Sequence, residues 1–302
     1  MSFSFFLIVI VTIYTLIPNS VTYSYQVLVH CTEPAAQRFI TNKSLWNEWW
    51  PGDQKEHNLF SYREREFRLD KIYLKGFEAS ILYKDSLFKG RFQIVYSNDT
   101  TTTFLWIDDI YYSAYPWERL SQYISYRNMK PWIENLMNDI KSFFDRQENV
   151  YGFKVFKEKV KDSSLVATIK KFKHYPTTSE IYGMVESIKK YIEKKNGKEV
   201  NYPMLNVQIK DSIHKAMVAI PVEKDLPSEG NFEMRRMILG NILSAEIKGG
   251  IYTINKGEEQ LSNYVDDHHK ESPAIPFQSL ITNRQLETDT SKWITKLYYP
   301  VF

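Results

Sequence analysis

Cysteine is almost absent from this chain: Cys31 is the one thiol in 302 residues, which excludes an internal disulfide framework and any cysteine-rich metal site. An excess of one charge is also missing. The 39 Lys and Arg stand against 36 Asp and Glu, giving a net charge of +3, and both signs are interspersed, so no global field favours nucleic acid. No segment reads as a helix-turn-helix with a basic face, so we expect no direct nucleic-acid contact. Gly249-Gly250 lacks phosphate-loop spacing, no serine sits in a nucleophile elbow, and Cys31 has no base near it in sequence. No Lys or Arg precedes Arg38, so the usual basic start of a signal peptide is absent, as are the charges that orient a membrane segment. What is present is an ordinary globular mixture long enough for two domains. It is rich in aromatics, with 21 Tyr, 18 Phe and 7 Trp, residues that serve pocket walls as well as cores.

The apolar run 3–17 (FSFFLIVIVTIYTLI) ends at Pro18. A spanning helix needs about 20 mostly apolar residues, so the run is short. We expect residues 1–18 to form a single N-terminal membrane anchor of open orientation, a buried element of the first domain being the alternative.

Residues 21–31 (VTYSYQVLVHC) alternate as a strand, and Thr32-Glu33-Pro34 opens a helix through an N-cap and an early proline. A tryptophan-rich bend holds Trp46, Trp49, Trp50 and Pro51. Strand-like runs follow at 62–69, 71–83, 88–96 and 101–111. A helix over 115–147, open to a break at Pro131, then places Trp132, Ile133, Leu136, Met137, Ile140, Phe143 and Phe144 on one face. The dyad Asp108-Asp109 reads as a solvated strand end. Trp46, Trp49 and Pro51 resemble the W-x-x-W-x-P segment of the START-like (SRPBCC, polyketide-cyclase-like) superfamily. That resemblance implies a helix-grip domain over 19–147, whose long helix closes a curved sheet over an apolar, ligand-binding cavity. Core packing remains the alternative for each tryptophan.

Residues 148–163 form a charged connector whose alternating Val150, Phe153, Val155 and Val160 fit an edge strand as well as a linker. Beyond it a pattern occurs twice. Residues 164–173 read as a strand, Thr177-Thr178-Ser179-Glu180 as a helix start, and Ile181, Met184, Val185, Ile188, Tyr191 and Ile192 as its buried stripe, stopped at Asn196-Gly197. Strands at 203–210 and 215–223 follow. The second copy has a strand at 241–248, a helix from about Thr253, and strands at 276–282 and 293–301. Paired βαββ units leave a cleft at their junction, where ligands usually bind.

Lys248-Gly249-Gly250-Ile251, Ala219-Ile220-Pro221-Val222 and the closing Lys296-Leu297-Tyr298-Tyr299-Pro300-Val301 resemble, in order, motifs of the GyrI-like small-molecule-binding (effector-binding) family. That resemblance implies a tandem βαββ domain over 164–302, making the chain α+β throughout. It also implies a ligand site, for which the candidates are Tyr175, Met217, Tyr252, Phe277, Gln278 and Tyr298. Family members commonly carry a glutamate where Pro276-Phe277-Gln278 here has an amide. An amide neither carries charge nor acts as a base at neutral pH, which argues against catalysis at that position. Glu223 and Glu287 are other acids, unplaced by the sequence. The expected protein is a membrane-anchored binder of a hydrophobic or amphipathic small molecule, without cofactor or metal. A hydrolase using the same cleft, or the effector module of a transcriptional system, is the alternative.

Overall fold

The computed structural model describes residues 3–83, 86–161 and 164–302. Met1 and Ser2 of the expected anchor, and Asp162 and Ser163 of the connector, lie outside the described residues. The chain is an α+β protein that divides into two compact units, Met1–Val150 and Tyr151–Phe302.

The first unit begins with helix α1 (Phe3–Leu16) and strand β1 (Ser20–Val29), followed by α2 (Glu33–Thr41), which is capped by the Thr32 hydroxyl, and α3 (Trp46–Trp49). Strands β2 (Gln54–Glu56), β3 (Leu59–Tyr62), β4 (Arg65–Tyr73), β5 (Gly76–Tyr83), β6 (Ser86–Asn98) and β7 (Thr101–Tyr111) lead to the long helix α4 (Pro116–Phe144). The antiparallel sheet runs β1-β7-β6-β5-β4-β3-β2. Two hairpins differ from the sequence expectation. Arg63 and Glu64, both at positive φ, make a tight turn that separates β3 from β4, and the run over 71–83 is divided before Gly76 at φ 152°. Pro131 does not break α4: it is exposed, so the carbonyl it cannot pair with is left to water.

Helix-on-sheet layering is as expected, and beneath the C-terminal end of the long helix the interior is filled by aromatic side chains. Trp46 packs against Trp49, Trp50, Phe60 and Phe77, and Phe144 of α4 closes against Trp49 and Phe104. All seven side chains are buried. At the N-terminus, Ile13 and Ile17 pack with Tyr112, and the buried Arg119 of α4 donates through Nε to the Ile17 carbonyl at 2.9 Å. Helix α1 has 14 residues, about 21 Å at the usual rise per residue. No helix among the described residues is long and apolar enough to cross a membrane.

A short helix α5 (Gln147–Tyr151) leads into the second unit. There β8 (Phe156–Lys159), β9 (Ser164–Phe172), α6 (Thr178–Lys194), β10 (Met204–Lys210), β11 (Ile213–Pro221) and β12 (Glu233–Arg236) precede β13 (Asn241–Lys248), α7 (Ile251–Asp267), β14 (Phe277–Leu280) and β15 (Ile294–Val301). The sheet order is β12-β9-β11-β10-β14-β15-β13-β8. Two copies of the same three-strand arrangement therefore meet where β10 pairs with β14, through Met204↔Ser279 and Leu205↔Gln278. The edges are exchanged: β8, which precedes the first copy, pairs with β13 of the second, while β12, which precedes the second, pairs with β9 of the first. The connector thus contains an edge strand.

Helix α6 forms as its sequence indicates. Thr177 and Glu180 make a reciprocal capping box, and Asn196 at φ 50° ends the turn beyond it. Its apolar stripe packs on Val166, Leu205, Val218, Ile220 and Leu280, which defines the helix-covered face of the sheet.

Candidate functional site

Side chains alternate across a strand, so the junction of β10 and β14 presents different chemistry on its two faces. On the helix-covered face the central pair is Leu205 beside Gln278. Gln278 is 3% exposed and donates through Nε2 to Glu258 Oε1 of α7 at 3.1 Å. Tyr175, between β9 and α6, lies close enough to Gln278, Glu258 and Arg284 for all three to act on its hydroxyl. From the segment after β14, Arg284 is buried, donates through Nη2 to the Thr295 hydroxyl at 2.8 Å, and lies 4.9 Å from the Trp293 ring. Its Nη2 stands a longer 3.5 Å from Gln278 Oε1. Its backbone N–H is held by the Tyr182 hydroxyl at 2.9 Å.

Two atoms of this group keep unmet hydrogen-bonding capacity. Arg284 Nε is buried with no acceptor, and so is Nδ1 of His214, whose ring meets Tyr175 edge-on at 5.9 Å. Burial lowers the pKa of Arg284 and raises that of Tyr175. Glu258 is exposed by surface area, yet protein crowds its carboxyl closely enough to raise its pKa by desolvation.

The opposite face is apolar. A cavity of about 240 Å³ there is walled by Leu165, Met204, Met217, Met237, Ile275 and Phe277. Methionine supplies adaptable, polarisable walls. The polar groups at its rim are already engaged: Asn206 donates to the Pro276 carbonyl, Arg235 pairs with Glu233, and Arg236 pairs with Asp225.

The six candidates from the sequence are therefore not brought together. Tyr175 and Gln278 belong to the helix-covered cluster. Met217 and Phe277 line the apolar cavity, and Tyr298 stacks on Phe277 at 5.0 Å on that same far side. Tyr252, at the start of α7, is 83% exposed and belongs to neither group. The physical reason is strand alternation, since the neighbours Phe277 and Gln278 must face opposite ways. Of the acids left unplaced, Glu287 caps its own loop through the Asp289 N–H and Glu223 is exposed. The carboxylate beside Gln278 is Glu258, which the sequence reading missed among the charged residues of α7. Arg284 was missed because it lies in a loop with no motif.

No family model matches this chain, and no curated protein matches it. Among solved structures, an EcmrR–DNA complex is 15% identical at a TM-score of 0.45, over 61% of this chain and 69% of that one. The EcmrR C-terminal domain is 16% identical at 0.41, over 50% and 98%. The di-domain aromatase/cyclase BexL is 9% identical at 0.34, over 93% and 85%. None of these values assigns a function to the chain.

Proposed function

We propose that the C-terminal unit binds an amphipathic small molecule on the helix-covered face, between α6 and α7, with Gln278, Glu258, Tyr175 and Arg284 orienting its polar part. The observation that supports this most is the buried guanidinium of Arg284, whose Nε has no acceptor. A buried donor left unsatisfied costs about 1–3 kcal/mol, which a ligand acceptor or a water would recover. The Met-lined cavity has volume but no uncommitted polar group to fix an orientation. A GyrI-like module in this half, and a START-like one before it, agree with the layered architecture and form part of the same proposal. Membrane attachment through residues 3–17 is a separate part of the proposal; its motive is the exposed Phe5, Phe6, Leu7, Ile8 and Val11 of α1, and cell fractionation of the full chain tests it.

A ligand screen read by thermal shift tests the binding proposal, because a ligand raises the melting temperature by mass action. Hits are expected to lose their shift in Gln278→Leu and to keep it in Met217→Trp, which fills the opposite cavity. Retention in the first and loss in the second would move the site to the apolar face. A hydrolytic reading is favoured by one feature, the Glu258 carboxyl with its raised pKa beside Gln278. Turnover that survives Gln278→Ala and disappears in Glu258→Gln would establish it.

A further inference from the structure

In the N-terminal unit, alternation along β7 turns Phe104, Trp106 and Asp108 inward and Asp109 outward. Asp108 is 1% exposed, so the dyad is not the solvated pair its sequence suggests. One carboxylate oxygen accepts the Trp106 indole N–H at 2.7 Å, and the other faces the Tyr126 hydroxyl at 3.4 Å. Among the described residues, no Lys, Arg or His makes an ion pair with it. Its surroundings are aromatic: the Tyr126 ring lies 5.8 Å from Phe88 and 5.8 Å from Tyr23, the cross-strand neighbour of Asp108. On the other side stands Gly90, where a Cβ would fall 2.1 Å from the Trp106 ring and 2.5 Å from Asp108 Oδ1. The absence of a side chain there is what lets the indole and the carboxylate occupy this place.

An approach from solvent exists. Strands β6 and β7 pair only as far as Gly90↔Asp108. Beyond that pair β6 stays with β5 and β7 with β1, so the two separate. A concavity of about 360 Å³ opens in the gap, lined by Leu87, Phe88, Lys89, Asp108, Ile110 and Gln122 of α4 among others.

We propose that this concavity binds a small organic ammonium group, with Asp108 as the counter-charge and the Phe88 ring as its aromatic wall, backed by the Tyr126 ring. A buried carboxylate without a cation is costly, and proteins keep such a group neutral or give it a partner. Aromatic faces beside a carboxylate are the surroundings in which alkylammonium ions are held. Burial brings Asp108 to about 7, with neighbouring Asp109 adding to the rise, so its charge is available at neutral pH and a bound cation would stabilise it. The other charges near it are Lys89 and Asp109 at the mouth, the latter paired with Arg91 at 2.9 Å, and on α4 Lys130, 4.8 Å from the Tyr23 ring, and Glu134, which accepts a hydrogen bond from the Tyr23 hydroxyl at 2.8 Å.

The test uses the full chain with tetramethylammonium chloride, sodium chloride at equal ionic strength, and tert-butanol as the neutral isostere. Thermal shift is read at pH 8 and pH 5.5. Saturable stabilisation by tetramethylammonium alone is expected at pH 8, with apparent affinity weaker by roughly tenfold or more at pH 5.5, where the carboxyl is protonated. Asp108→Asn should abolish it. The proposal is overturned if the cation has no saturable effect beyond sodium chloride at pH 8, if the effect is equal at both pH values, or if it persists in a folded Asp108→Asn protein. The wild-type comparison across pH decides the matter even if that variant does not fold.

Discussion

Replacing Asp108 by asparagine preserves shape while removing a charge, and the structure fixes how the consequence must vary with pH. The amide oxygen still accepts the Trp106 N–H at the 2.7 Å position, and the Tyr126 hydroxyl can reverse its role to face an NH₂. An unfolded aspartate titrates near 3.9, whereas burial holds the folded one at about 7. The folded pKa is the higher, so any stability tied to this proton is complete below about pH 4 and is lost as pH rises toward 7. At about 1.36 kcal/mol per pH unit the loss at pH 8 is on the order of 4 kcal/mol, a ceiling that water penetration and relaxation will lower. Asparagine does not incur it. The variant should therefore match the wild type near pH 4 and exceed it at pH 8, by a few kcal/mol in urea denaturation or several degrees in melting temperature. Taking the difference between the two proteins across pH cancels every other titrating group. A flat difference from pH 4 to 8 would refute the reasoning, as would one with the opposite slope.

Other consequences follow from the packing. Trp46→Ala removes the ring at the centre of the N-terminal core and should cost about 3–5 kcal/mol in denaturant melts. Ligand hits assigned to the C-terminal unit should keep their affinity in that variant. Gly90→Ala forces a methyl group against Trp106 and should destabilise by roughly 1–3 kcal/mol, altering the near-ultraviolet circular dichroism of the indole. Thr177→Ala breaks the capping box of α6 and should cost about 1 kcal/mol, with faster amide exchange confined to the first turn. Should hydrolysis be found, its rate should fall below the raised pKa of Glu258 and vanish in Glu258→Gln.

The layered α+β architecture was legible because burial imposes periods on the sequence. The stripe of α6, the alternation of β9 and the cap at Thr177 all announce themselves locally. So did the twofold repetition, though not which strands of the two copies would touch. Short elements escaped: β12 has four residues and too little pattern to register, and β8 read as edge strand or linker alike. The Arg63-Glu64 turn lacks the glycine or asparagine that usually marks left-handed backbone. Site residues were harder to find. Glu258 sits in a charged stretch of α7 and looks like any solvated glutamate until the fold brings it to Gln278. Asp108 and Asp109 are indistinguishable as a dipeptide, and only the direction of the strand decides which is desolvated. The grouping of Phe277 with Gln278 was avoidable, because the two-residue period already forbids it.

The exchanged edges of the C-terminal sheet bear on how this half can be handled experimentally. Each copy is closed by a strand that the chain has contributed from ahead of the other copy, like two hands each gripping the opposite wrist. Neither can be excised as a self-sufficient module. A fragment begun at Ser164, just where the repeat seems to start, would leave the hydrogen-bonding groups of β13 bare along its outer side. A bare edge invites pairing with other chains, so such a fragment should aggregate where one begun before Phe156 stays monodisperse. The same clasp requires the first four residues of the sheet to wait for a partner more than 80 positions away, which makes β8–β13 closure a late and cooperative step in folding.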